Sequence, residues 1–71
     1  NPHLAEAHLN LGTLLHARGE FADAVTAYEQ ALVARPDYAE AHHNIGSALR
    51  DQGKFDPAIE CYRRALALRP D

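Results

Sequence analysis

The sequence repeats itself with a period of 34 residues, and this repeat constrains the fold more than any other feature. Shifting the chain by one period aligns Pro2 with Pro36 and Pro70, and aligns residues 5–8 with residues 39–42. The alignment continues without a gap along the chain. A fixed period between 20 and 50 residues is typical of proteins built from stacked supersecondary units. The 71 residues therefore hold two copies of one unit.

Apolar residues within each unit step by three and four, which is the spacing of one face of an α-helix. The second half of each unit shows the pattern from Phe21 to Leu32 and from Phe55 to Leu66. We therefore predict that each unit is a pair of amphipathic helices. The first half carries a stripe that we expect to be internal, formed by Leu4, Ala7, Leu11, Leu14 and Leu15 in the first unit and by Ala41, Ile45, Ala48 and Leu49 in the second.

Glycine and proline mark the expected helix ends. Gly19 and Gly53 follow the first helix of each unit, where glycine can adopt the left-handed conformation that ends a helix. Pro36 and Pro70 follow the second helix, which proline cannot continue. These signals predict four helices, near residues 3–17, 22–34, 37–51 and 56–68.

Two helix starts carry capping signals. Asp37 is followed three residues later by Glu40, which predicts a capping box. Asp56 is followed by Pro57, which predicts an N-cap with proline at the first helical position.

Eight signature positions recur in both units. They are His8, Leu11, Gly12, Leu15, Ala24, Tyr28, Ala31 and Pro36, and then His42, Ile45, Gly46, Leu49, Ala58, Tyr62, Ala65 and Pro70. With these residues the repeat resembles the tetratricopeptide repeat family over essentially the whole chain. The resemblance implies an all-α fold of two helix-turn-helix hairpins stacked as a short right-handed α-solenoid. It also implies a single domain over 1–71, with repeats at about 3–36 and 37–70. The usual tryptophan is replaced by His8 and His42, and the usual tyrosine by Leu15 and Leu49, all bulky residues.

In this family the first helix of each hairpin lines a concave surface that binds an extended peptide or a helix, so the resemblance implies a protein-binding scaffold. Leu9, Thr13 and His16 complete no internal apolar stripe, which favours a peptide groove. The matching groove positions are Glu6, Leu9, Asn10, Thr13, His16 and Ala17 in the first repeat and Glu40, His43, Asn44, Ser47, Arg50 and Asp51 in the second.

Asn10 and Asn44 are the strongest candidates in this groove, because a carboxamide both donates and accepts hydrogen bonds. They are similar to the asparagine ladder in the repeats of O-linked N-acetylglucosamine transferases. The alternative is that both asparagines bond to neighbouring turns of their own helices. A clamp for a chaperone's C-terminal carboxylate is disfavoured, because Leu9 and Thr13 stand where that clamp supplies polar and basic groups.

Other functions lack a supporting pattern. The net charge of −3 offers no basic excess for a nucleic acid, and no apolar run is long enough to span a membrane. No histidine pair has the spacing of a helical metal site, and no catalytic motif or cofactor motif occurs. We therefore expect no enzyme, metal or cofactor. The single cysteine, Cys61, fits a reducing compartment, which favours a cytoplasmic location.

An alternative function is structural. Two stacked repeats leave an apolar side uncovered at each end. We expect Ile59, Tyr62 and Leu66 to be exposed on the last helix, where they could mediate self-association into a homo-oligomer. Because Pro2 and Pro70 coincide with repeat boundaries, we expect a fragment of a longer array or an engineered minimal unit.

Overall fold

The computed structural model describes residues 3–69, which form two helical hairpins stacked side by side. Helix α1 packs against α2, α3 packs against α4, and α2 also packs against α3, so that it joins the hairpins. This confirms the predicted two-hairpin solenoid. The prolines expected at the repeat boundaries, Pro2 and Pro70, lie outside the described residues. The four helices are α1 (Leu4–Ala17), α2 (Phe21–Ala34), α3 (Ala39–Asp51) and α4 (Phe55–Leu68).

The turn within each hairpin is built around a glycine, as predicted. Gly19 and Gly53 have φ values of 78° and 79°. After α1, the amide of Glu20 donates to the carbonyl of Leu15 at 2.9 Å, and the amide of Gly19 donates to the carbonyl of His16 at 2.9 Å. This pair of hydrogen bonds is the Schellman arrangement, in which the left-handed residue lets the chain reverse direction.

The predicted capping residues are wrong. Helix α3 begins after Tyr38, and no side chain forms a capping hydrogen bond there, so Asp37 and Glu40 do not form a capping box. Helix α4 begins at Phe55, which places Asp56 and Pro57 inside its first turn rather than at its start. Proline is tolerated there because the first four amides of a helix have no intrahelical acceptor.

The core lies where α1, α2 and α3 meet. Tyr28 is its largest fully buried side chain, and it lies against Gly12 of α1. A β-carbon at Gly12 would lie 2.5 Å from the Tyr28 ring, so the helices approach this closely only because Gly12 has no side chain. The small residues of the signature are therefore packing residues. The buried core cluster contains Leu9, Ala24, Tyr28, Ala31, Ala41, Ile45 and Ala48.

The apolar stripe of α1 is largely exposed, which corrects the prediction that it is internal. Leu4, Leu11 and Leu14 are 45%, 48% and 56% exposed, whereas Ile45 and Ala48, the equivalents of the last two, are buried. Helix α2 packs on the side of α3 that carries Ile45 and Ala48. It packs on the opposite side of α1, away from Leu11 and Leu14. Within residues 3–69 no helix covers this side of α1.

Candidate functional site

The two groove asparagines occupy equivalent positions on α1 and α3. Asn10 is exposed and Asn44 is half-buried. Neither carboxamide forms a hydrogen bond with any group in the described part of the chain, residues 3–69. Within these residues, neither asparagine therefore bonds to a neighbouring turn of its own helix, which was the alternative role. Both side chains keep their donors and acceptors available to a ligand.

Leu9 is buried, which corrects its assignment to the groove. Its side chain is 6% exposed and belongs to the core cluster that also contains Ala41 and Ile45 of α3. The following hairpin thus covers Leu9, an effect that the apolar pattern of α1 alone could not show. The equivalent residue of the second hairpin, His43, is exposed.

The two groove hydroxyl groups are engaged inside each hairpin. The Thr13 hydroxyl donates to the carbonyl of Leu9 at 3.0 Å and accepts from the Tyr28 hydroxyl at 3.5 Å. Ser47 and Tyr62 share a hydrogen bond of 3.2 Å at the equivalent place in the second hairpin. A hydroxyl at this position therefore orients the packed tyrosine, and a ligand would have to compete with that contact.

The C-terminal ends of α1 and α3 are joined by a hydrogen bond to a shared carboxylate. Nε2 of His16 donates to Oδ2 of Asp51 at 2.7 Å, and Nε of Arg50 lies 3.5 Å from Oδ1 of the same carboxylate. The His16 hydrogen bond is the main reason why the pKa of Asp51 lies below its ordinary value. His16 also contacts the ring of Phe21 edge to face, with centroids 5.3 Å apart. These groove positions link the repeats to each other.

The opposite end of the same surface carries two exposed carboxylates, Glu6 and Glu40, and an arginine, Arg35. Burial is the main reason why the pKa of the Tyr38 hydroxyl lies above its ordinary value; the charges of Glu40 and Glu6 raise this pKa further, and Arg35 lowers it. The Arg35 guanidinium lies over the Tyr38 ring, 4.4 Å from its centroid, in a cation–π contact.

A second concave region lies on the far side of the second hairpin, between α3 and α4. This end pocket has a volume of about 440 Å³. The His43 and Tyr62 rings lie 5.2 Å apart in its wall. The pocket is lined by Ala39, Glu40, His43, Tyr62, Ala65, Leu66 and Arg69.

The expected self-association residues lie at or beside this pocket. Leu66 and Ile59 are 65% and 46% exposed, and Phe55 on the same helix is exposed as well. Tyr62 is half-buried, with its hydroxyl turned to Ser47. The sequence analysis expected an apolar side uncovered at each end but named residues only on the last helix. On the α1 side the exposed residues are Leu4, Leu11 and Leu14.

The remaining chemical groups are ordinary. Burial raises the pKa of the Cys61 thiol, so this cysteine is a poor nucleophile at neutral pH. Among residues 3–69 no three histidine, cysteine, aspartate or glutamate side chains converge in a way that could hold a metal ion. None of the helices within the same range is long and apolar enough to cross a membrane.

Comparisons with known proteins agree with this architecture. The family described as tetratricopeptide repeat matches residues 3–71. The crystal structure of MamA is similar, with a TM-score of 0.91 and 30% sequence identity over 99% of this chain and 41% of that chain. The chain therefore spans about two fifths of the length of the MamA chain. No curated protein matches the sequence.

Proposed function

Because the chain belongs to the tetratricopeptide repeat family, whose members generally mediate protein–protein interactions, we propose that it binds an extended peptide across the surface of α1 and α3. The observation that supports this most directly is the pair of carboxamides, Asn10 and Asn44, which stand one repeat apart without an internal partner. We infer that they hold the ligand through its main chain.

The physical reason lies in the chemistry of the carboxamide. Each side chain can donate to a backbone carbonyl of the ligand and accept from a backbone amide. Every extended peptide offers both groups, so a ladder of asparagines selects an extended shape rather than a particular sequence. We propose the same arrangement as in the asparagine ladder of O-linked N-acetylglucosamine transferase repeats.

Charge at one end of this surface favours a particular ligand side chain. Glu6 and Glu40 are both exposed there, whereas at the other end Arg50 is paired with Asp51. We therefore propose a peptide with a basic side chain near the two glutamates. His43, which is exposed between these ends, completes the proposed contact surface.

The other groove positions have a limited role in the proposed peptide contact. Thr13 and Ser47 support Tyr28 and Tyr62, and His16 pairs with Asp51, so we expect their replacement to act mainly through the fold. No catalytic step is proposed, because no candidate nucleophile or base stands out at this surface. The net charge of −3 disfavours a nucleic acid at the same place.

The test is selection of peptides from a random-sequence displayed library, followed by titration of the selected peptides. Replacing Asn10 and Asn44 together by alanine should weaken binding roughly tenfold or more, since each lost hydrogen bond is worth about 0.5–1.5 kcal/mol. Gln30→Ala on the exposed part of α2 is the matched control. Equal binding by the asparagine variant and the control would contradict the proposal.

A direct readout comes from the side-chain amide resonances in NMR spectra. Those of Asn10 and Asn44 should shift on addition of a selected peptide, whereas that of Gln30 should not. A peptide that binds without moving either asparagine resonance would also contradict the proposal. Circular dichroism of each variant would show whether a loss of binding reflects a loss of fold.

A further inference from the structure

We propose that the chain stacks head to tail with copies of itself, so that α1 of one copy packs on α4 and the end pocket of the next. We call the two surfaces the head face (Leu4, Ala7, Leu11, Leu14) and the tail face (Phe55, Ile59, Leu66 and the end pocket). Neither face includes Asn10 or Asn44, but the end pocket shares Glu40 and His43 with the proposed peptide surface, so self-stacking is measured without peptide and with variants at Leu11 and Leu66, which lie outside that surface.

The interface between α2 and α3 inside the chain is the template for this contact. On the α3 side, Ala41, Ile45 and Ala48 are buried. On the α2 side, Val25 and Leu32 are partly buried and pack against the same cluster. One hairpin therefore already binds the next through an apolar surface of defined composition.

The tail face reproduces the α2 side of this template. By the repeat alignment, Ile59 corresponds to Val25 and Leu66 corresponds to Leu32. Unlike Val25 and Leu32, Ile59 and Leu66 are exposed. The end pocket is the part of this surface that α3 covers in the first hairpin, where Leu9 and Ala31 are buried.

The head face reproduces the α3 side. Ala7 corresponds to Ala41, Leu11 to Ile45, and Leu14 to Ala48. These three residues of the head face are exposed, and all are apolar, as their equivalents are. We propose a second copy as the occupant because its tail face matches the surface that already packs on Ala41, Ile45 and Ala48 inside the chain.

The junction between copies lacks two polar contacts that strengthen the internal interface. At the place of the His16–Asp51 hydrogen bond it has Arg50 and Ala17, and alanine cannot accept one. Leu14 is also larger than Ala48, so the second copy sits slightly farther out at that end. Association should therefore depend on concentration.

The second missing contact is a cation–π interaction. Inside the chain, Arg35 lies over the ring of Tyr38. Across the junction, the corresponding residues are Arg69 and Leu4, and leucine has no aromatic face.

The proposed head-to-tail interface joins two different surfaces. Every stack therefore keeps one free head face and one free tail face, which permits growth beyond a dimer.

The experiment uses two variants that each block one face. Leu66→Glu places a charge on the tail face, and Leu11→Glu places one on the head face. Each should weaken self-association roughly tenfold to hundredfold, because a buried apolar contact is replaced by a charge. Gln30→Glu adds the same charge to an exposed position of α2 outside both faces and should associate as the wild type does.

Sedimentation velocity over a concentration series gives the readout. The wild type should form species larger than a dimer, and each blocked variant should stay monomeric. An equal mixture of the two variants should form a heterodimer and nothing larger, because only one intact head and one intact tail can meet. A monomeric wild type, or a mixture that remains monomeric, would overturn the proposal.

Symmetric pairing gives a different result. If two tail faces met, Leu11→Glu would dimerise by itself, and if two head faces met, Leu66→Glu would do so. Either result would overturn the head-to-tail contact. Circular dichroism confirms that each variant is folded before it is compared.

A variant that strengthens the contact avoids any doubt about folding. Leu4→Tyr with Ala17→Asp restores partners for Arg69 and Arg50 across the junction, at positions where Tyr38 and Asp51 set the precedent. The double variant should associate roughly threefold to tenfold more tightly. Unchanged association would overturn the proposed register.

Discussion

Replacing Gly12 by alanine tests the close approach of α1 and α2. The added β-carbon would lie 2.5 Å from both Cδ1 and Cε1 of Tyr28. Carbon atoms in contact are normally about 3.5–4.0 Å apart, so the ring must retreat by about 1 Å. Tyr28 is only 1% exposed, and its neighbours Ala24 and Ala31 are fully buried, so no free space lies behind the ring.

Two opposing effects set the size of the change. Alanine stabilises the interior of a helix by about 1 kcal/mol relative to glycine. Overpacking a filled core costs about 1–3 kcal/mol, and moving the ring also lengthens the 3.5 Å hydrogen bond between Tyr28 and Thr13. We expect Gly12→Ala to lower the free energy of unfolding by about 1–2 kcal/mol, which corresponds to roughly 4–16 °C in melting temperature.

Gly46→Ala is the matched control, because Gly46 is the same repeat position with a looser neighbour. Its added β-carbon would lie 2.9 Å from Cε1 of Tyr62. Tyr62 is half-buried and lines the end pocket, so its ring can tilt outward. The backbone carbonyl oxygen of Ala58 lies 3.1 Å from the same point and cannot tilt away, so part of the strain remains. The gain in helix propensity offsets the rest, and Gly46→Ala should lower stability by less than Gly12→Ala does.

The assay is urea unfolding followed by circular dichroism at several protein concentrations, so that self-association is separated from folding. The double variant Gly12→Ala with Tyr28→Leu removes the ring, and in that background the alanine should be neutral or stabilising. The packing argument is refuted if Gly12→Ala is as stable as the wild type. It is also refuted if Gly46→Ala costs more than Gly12→Ala.

Two further predictions concern the buried residue Ile45 and the acid dependence that Asp51 gives to stability. Ile45→Ala should cost about 2–5 kcal/mol because Ile45 is buried, whereas Leu11→Ala at the equivalent exposed position should cost less than about 1 kcal/mol, both measured by urea unfolding. Because the pKa of Asp51 is lowered in the fold, its contribution to stability should be present above its ordinary pKa of 3.8 and be lost as the pH falls through the lower folded value; Asp51→Asn should remove that part of the acid dependence in unfolding measured against pH, and an unchanged profile would contradict it.

The helical hairpins were predictable because their signals are local. Apolar spacing and the two turn glycines fixed the type and order of the helices, and every predicted boundary lies within two residues of the observed one. The capping residues were predicted wrongly because the N-cap positions are Tyr38 and Lys54 rather than Asp37 and Asp56. Asp56, for example, already lies in the first turn of α4.

The groove was predictable only in part. Asn10 and Asn44 can be located from the repeat alignment, but their lack of an internal partner required coordinates. Leu9 could not be assigned from α1 alone, because its burial depends on the next hairpin. The hydrogen bond between His16 and Asp51 joins residues that are 35 positions apart, a separation at which no sequence pattern marks a contact.

The sequence by itself determined which residues are equivalent, since a repeat of 34 residues assigns each side chain a place in the hairpin. Only the tertiary structure decided which of two equivalent residues is buried. Leu11 and Ile45 occupy the same place, yet α2 covers only Ile45. The reason is that helical periodicity is a property of one segment, whereas burial depends on which neighbouring surface excludes water from it.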